Sequence, residues 1–128
     1  YLNQSYYKKW GKDCSEVVKK INKKIRSLER KKIIIGYGAA AKANTFLNFS
    51  KIKLNYIVDD NKFKQNKYSP GSKIPIRSRS LLKEIKEDVY IIPLAWNFYK
   101  EIKDKVKKIR PKNKDKFVLC FPKFKIEN

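Results

Sequence analysis

The sequence has 128 residues and contains neither histidine nor methionine. Without histidine, the commonest general base near neutral pH and the commonest metal ligand are both missing. No serine or cysteine has a visible base partner, so the chain reads as a binding module with no catalytic residue and no metal site of its own. A complete reading frame needs an initiator methionine, and its removal normally requires a small residue next in line. This chain starts at Tyr1. The expectation is a piece of a longer protein with any catalytic domain upstream.

Cysteine is nearly as scarce. Cys14 and Cys120 lie far apart and match no metal or redox spacing, so a reduced cytoplasmic protein is the default expectation. Long hydrophobic runs are also lacking. The longest are about five residues, far below the ~18 needed to cross a bilayer, and runs such as Ile33-Ile34-Ile35, between Lys32 and Gly36, read as buried strands. The polar, aromatic and basic N-terminus is no signal peptide, and no membrane partner is expected.

Acidic residues are few, 12 against 33 lysines and arginines, for a formal net charge of +21. Such a charge raises the question of a nucleic-acid surface. Nearly all the cations are lysines, however, and abundant Ile and Asn beside scarce Arg is the composition an AT-rich genome imposes. The lysines are scattered over every predicted helix, Lys19, Lys20, Lys83, Lys86, Lys103, Lys105, Lys107 and Lys108 among them. A dedicated site concentrates arginine for bidentate contacts. General attraction to polyphosphates is expected, and specific nucleic-acid recognition is not.

What is present suits one folded domain. The length is enough for one core and short for two, and 41% hydrophobic residues separates the chain from disordered ones. Val17, Val18, Ile21, Ile25 and Leu28 recur at helical spacing and predict a helix from about Ser5 to Arg30. We read residues 1–31 as an N-terminal amphipathic connector helix, with Trp10 and the tyrosines before it as anchors or facing a missing partner domain. From Lys32 the pattern alternates. Strands are predicted at 32–35, 54–58, 74–76, 88–93 and 116–121. Helices are predicted from Ala39 to about Phe49, with Phe46, Leu47 and Phe49 inward; to about Lys86, capped by Ser78 or Ser80; and to about Ile109, capped by Asn97. Pro70-Gly71 signals a turn. This order predicts an α/β, Rossmann-like three-layer domain with a mostly parallel sheet over 32–128.

Chemistry is expected first at Gly36-Tyr37-Gly38-Ala39-Ala40-Ala41. The first glycine is expected to allow the tight turn, the second a close approach of backbone to a phosphate, and Ala41 supplies the small residue where helix meets strand. Free N–H groups and the helix dipole then face the anion. An acid follows roughly 20 residues on, at Asp59, where ribose binding requires it. A turn kept tight only for packing is the alternative. Lys42, in the first helical turn, works against the dipole unless a phosphate or carboxylate stands beside it. Asn44 and Thr45 are the next polar groups. Asp59 and Asp60 point in different directions and make a poor acid/base couple, so Asp60-Asn61 reads as a turn. Trp96 and Asn97 leave a later strand at the same carboxyl edge, Trp96 either stacking on a ligand or half-buried in the core.

The string from Gly36 to Thr45 resembles the signature of the C-terminal domain of sugar C-methyltransferases, enzymes of nucleotide-linked deoxysugars. The resemblance runs on, in order, through Val58-Asp59-Asp60-Asn61, Lys64-Gln65, Tyr68-Ser69-Pro70-Gly71, Ile74-Pro75-Ile76 and Leu94-Ala95-Trp96-Asn97. The family usually has glycine where this chain has Ala43 and Asn66. Ala43 is a mild change inside a helix, and Asn66 can adopt a left-handed turn. The resemblance implies a zinc-binding segment and an S-adenosylmethionine domain upstream, the latter carrying the methyl donor. This domain then holds the nucleotide-sugar and needs no cofactor itself. It makes Gly36, Tyr37, Gly38, Ala39, Lys42, Asn44 and Asp59 candidates for substrate contact, with Trp96 and Asn97 nearby. The N-terminal domains of sugar acyltransferases share the turn, the lysine and the Asp-Asp-Asn, and also bind nucleotide-sugars. A stand-alone NAD-binding module is a further alternative. An S-adenosylmethionine site at this turn is disfavoured because Ile34 and Ile35 precede Gly36 where an acid is usual.

Overall fold

A computed structural model describes residues 16, 18–28, 32–39, 41–120 and 124–128, with only the backbone at 41 and 42. Helix α1 covers 18–28. Then come β1 (Ile34–Tyr37), α2 (Ala41–Ser50), β2 (Tyr56–Val58), β3 (Ile76–Arg77), α3 (Leu81–Glu84), β4 (Tyr90–Pro93), a single 3-10 turn (Trp96–Phe98), α4 (Tyr99–Ile109), β5 (Lys116–Leu119) and β6 (Lys125–Glu127). The described strands form one six-stranded sheet in the order β3-β2-β1-β4-β5-β6. Strands β1 to β5 run parallel, and β6 is antiparallel to β5.

Alternation along the strands sends neighbouring side chains to opposite faces. Ile34, Ile57, Ile76, Ile92 and Val118 pack with Ile21 and Ile25 of α1 and Ala43 and Leu47 of α2. Ile35, Tyr37, Val58, Ile91 and Phe117 pack with Leu82 of α3 and Ile102 and Val106 of α4. Two helical layers thus enclose a sheet buried on both sides, the arrangement in which strands read as continuous apolar runs. The described part of α1 belongs to one of these layers, with Ile21 and Ile25 buried beside Ile34. No helix of the described residues is long and apolar enough to cross a membrane.

Several local expectations are corrected. Phe49 is 58% exposed, because Ala43, Leu47 and Ser50 take the buried stripe of α2. Helix α3 ends at Glu84, and Ser80 stands at its N-cap as expected but makes no side-chain cap bond: the Ser78 and Ser80 hydroxyls bond each other at 2.5 Å, and Leu81 N–H donates to the Ser78 carbonyl. Asn97 lies inside the 3-10 turn, and Phe98 stands at the N-cap of α4 with no side-chain bond. The fifth strand stops at Leu119, and the additional strand β6 follows. The expected helix residues 5–15, 17, 29 and 30, with Trp10 and Cys14, lie outside the described residues.

The 61–75 loop protects the β3 edge. Asn66 N–H donates to the Ile76 carbonyl at 2.9 Å, Ile76 N–H to Lys67 at 2.8 Å, and Ser69 N–H to Ile74 at 2.9 Å, satisfying an edge that would otherwise invite pairing. Asn66 takes φ 63°, the left-handed turn expected of it. The Pro70-Gly71 turn also forms. Gly71 has φ 80°, Asn48 of α2 donates to the Pro70 carbonyl at 3.1 Å, and a Cβ on Gly71 would stand 2.3 Å from Asn48 Oδ1.

Candidate functional site

The parallel order 3-2-1-4 puts a topological switch between β1 and β4, and ligands of such sheets bind outside the carboxyl ends of the strands. There the two glycines divide their labour differently from expectation. Gly36 is a strand residue, and a Cβ on it would stand 2.7 Å from Leu94 Cδ1 and 2.8 Å from Leu54 Cδ1. Its role is packing. The turn itself falls on Gly38, with φ 101° and a built Cβ 3.2 Å from Ala95 Cβ.

Two of the N–H groups of the turn are already used by the chain. Gly38 N–H donates to the Val58 carbonyl at 2.8 Å. Ala39 N–H donates to Asp59 Oδ2 at 2.6 Å, and Asn61 N–H to Asp59 Oδ1 at 2.8 Å. The Asp59 carboxylate therefore sits just before α2, where the dipole favours negative charge, and both its oxygens already accept backbone bonds. The ribose role expected of Asp59 is to that extent taken up by a structural one.

Tyr37 turns to the opposite layer. Its hydroxyl reaches both Asp60 oxygens, at 3.0 and 3.1 Å. Burial and the Asp60 carboxylate push its phenol above the ordinary range. Asp60 is the centre of a charge cluster, 2.7 Å from Arg79 Nε and 3.2 Å from Lys105 Nζ, and not merely a turn residue.

On the α2 side, the loop after β2 folds back over Ala39. Lys64 Nζ donates to the Ala39 carbonyl and Gln65 Nε2 to the Asp59 carbonyl, both at 2.9 Å. This leaves an open groove of about 250 Å³ lined by Ala39, Asn44, Phe63, Lys64, Lys67 and Tyr68 with Pro70 and Ile76. Phe63 is 83% exposed and Tyr68 63%. The Asn44 Oδ1 is shielded from solvent and accepts no hydrogen bond, a costly condition unless a donor arrives.

The structure thus joins Ala39 and Asn44 in one groove, with Asp59 bonded to its wall. The expectation for Lys42 concerns a side chain outside the described residues. Trp96 is half-buried and lines a small cleft with Phe46, Ile92, Leu94 and Cys120, while Asn97 is exposed. Neither lines the groove. Burial alone pushes the neighbouring Cys120 thiol up to about 12. Phe63, Lys67 and Tyr68 were not among the candidates. Their signal was the interleaving of aromatics and lysines in Phe63-Lys64-Gln65-Asn66-Lys67-Tyr68 directly after a strand.

Comparison with known proteins agrees with the resemblance at the level of the C-methyltransferase C-terminal domain. The C-methyltransferase NovU of Streptomyces niveus is 33% identical over 94 residues, covering 71% of this chain and 22% of that protein. The chain therefore spans well under half of that relative's length. The family model of the C-methyltransferase C-terminal domain matches residues 2–122. The chain belongs to the C-methyltransferase C-terminal domain family.

Proposed function

We propose that this domain holds a nucleotide-linked deoxysugar for an S-adenosylmethionine-dependent methyl-transfer domain of the same parent chain, in the cytoplasm. One observation carries the reading: two exposed aromatic rings, two lysines and an unpartnered Asn44 acceptor share a groove beside the strand–turn–helix at the carboxyl edge. Phe63 and Tyr68 offer faces on which a base stacks. Lys67, with Lys64 and Lys42, attracts the diphosphate. Asn44 lines the wall, and a base N–H or sugar hydroxyl reaches its Oδ1 when the side chain turns out into the groove. Gly36 and Gly38 keep the turn close to the sheet, Ala39 forms the wall, and Asp59 holds that wall in place. Tyr37 fixes Asp60 beneath the same edge. Trp96 and Asn97, leaving β4 outside the groove, are assigned to the sugar end of the substrate. The methyl donor and the groups that move protons belong to that domain, and no cofactor is assigned here.

Amide shifts during titration with dTDP, GDP and their sugars, with NAD and S-adenosylmethionine as controls, test this reading. Nucleotide-sugars should perturb Ala39, Asn44 and 63–68. Silence there, or a response to S-adenosylmethionine alone, overturns it.

A further inference from the structure

The opposite edge of the sheet carries a second cavity. Residues just before parallel strands lie at their amino ends, so Lys51–Asn55 before β2, Ser72–Pro75 before β3 and Lys32 before β1 share one edge, away from the groove above. A cavity of about 510 Å³ opens there, lined by Lys51, Lys53 and Lys73 over a floor that includes Leu47, Ile52 and Ile74. An adjoining recess of about 200 Å³ shares Lys53 and Leu54 and adds Lys32. The main cavity has the size and the apolar floor of a small-molecule site.

One observation distinguishes these lysines from the rest of a lysine-rich surface. No carboxylate lines either cavity. None of the four forms an ion pair among the described residues, as holds for most lysines of this chain, and Lys32 packs over the Tyr90 ring at 5.3 Å. Lys51 and Lys73 both hold φ 55°, Lys51 as the left-handed residue that closes α2 and Lys73 in the turn that its N–H closes on the Ser69 carbonyl at 2.9 Å. Leu47 accepts from Lys51 N–H at 2.9 Å, and Ser50 accepts from Asn22 Nδ2.

We infer that this amino-edge cavity binds a small, multiply charged phosphate-bearing anion, with Lys51, Lys53 and Lys73 as its cations and Lys32 at the rim. The site is separate from the carboxyl-edge groove and does not rest on the function proposed for it. Three lysines around one cavity with no carboxylate in its lining favour such an anion, and the interaction is strongly salt-dependent.

Pyrophosphate titration of the 128-residue chain, followed by amide shifts at low and high salt, tests the inference. Shifts should concentrate at 51–54 and 72–75, and affinity should fall at least tenfold in Lys51→Gly/Lys73→Gly. That pair removes two charges while relaxing both left-handed positions, so the variant should fold at least as well. Lys112→Gly should leave binding unchanged. Shifts spread evenly over all lysines, no response at millimolar pyrophosphate, or binding unaltered in the double variant overturns the inference. A single-stranded oligonucleotide that shifts these residues where pyrophosphate does not would assign the edge to nucleic acid and also overturn it.

Discussion

The carboxylate of Asp59 accepts the N–H of Ala39 at 2.6 Å, so the end of β2 supplies the negative charge at the start of α2. Ala39 is buried, and its N–H has no solvent to turn to. Asp59→Ala should therefore cost about 1–3 kcal/mol, the penalty of an orphaned buried donor, and Asp59→Asn should recover part of it because a carboxamide oxygen can still accept. Urea unfolding midpoints measure both. Equal stability of Asp59→Ala and the parent would mean that the carboxylate is not holding the turn.

The two glycines should fail for different reasons. Gly36→Ala pushes a methyl against Leu94 and Leu54 and should cost about 1–3 kcal/mol as overpacking. Leu94→Ala in the same chain should cost less than it does alone, because it also relieves that clash. Gly38→Ala places alanine at φ 101° and should cost about 1–2 kcal/mol in backbone energy. Ala95→Gly should not restore it. Thermal unfolding of the four single and double variants separates the cases, and rescue of Gly38→Ala by Ala95→Gly would show contact to be its whole cost.

Arg110 and Asp115 make a buried ion pair at 2.7 Å, their side chains 2% and 5% exposed. The guanidinium also donates to the carbonyls of Leu82 at 2.8 Å and Glu87 at 2.5 Å and to that of Ile85. Asp115 Oδ1 accepts Val89 N–H at 2.9 Å. The pair thus ties the end of α3, the start of β4 and the end of α4 together. Asp115→Ala should lose about 3–5 kcal/mol, because it strands a buried charge. A double-mutant cycle with Arg110→Met should show strong coupling. Additive losses would contradict a shared network.

Acid stability should depend on Asp88. Bonds from Lys114 N–H, at 2.9 Å, and the Asn113 amide, at 3.1 Å, hold its carboxyl below the usual range. A depressed folded-state value contributes stability above the unfolded pKa of about 3.9 and loses it as pH falls through the lower folded value. Asp88→Ala should therefore be less stable than the parent at neutral pH, with the gap closing on acidification. A gap unchanged by pH would sink this assignment.

The alternating strands and helices, the left-handed Asn66 and the Pro70-Gly71 turn were legible because each is a local preference that the packed fold leaves intact. Strand β6 was not, since Lys125-Ile126-Glu127 is a short polar edge without an apolar run. Asn97 has the chemistry of a cap, but the chain after β4 first makes a 3-10 turn that moves the cap to Phe98. The partners of Asp59 and Arg110 are set by strand order, which spacing along the chain does not encode. The groove was hidden for a related reason. It is built from an irregular loop with no periodicity, and only its folding back over Ala39 brings Phe63 and Tyr68 to Asn44.

The central claim is that this groove binds the nucleotide end of the substrate. Calorimetric affinity for a dTDP-sugar or GDP-sugar, compared between the parent and Phe63→Ala or Tyr68→Ala, tests it most directly. Both rings are largely exposed, so neither change should harm the fold. Loss of a stacked base costs about 1–3 kcal/mol, so the account predicts affinity lower by about 5- to 150-fold in at least one variant. Unchanged affinity in both, with the parent binding normally, would contradict it.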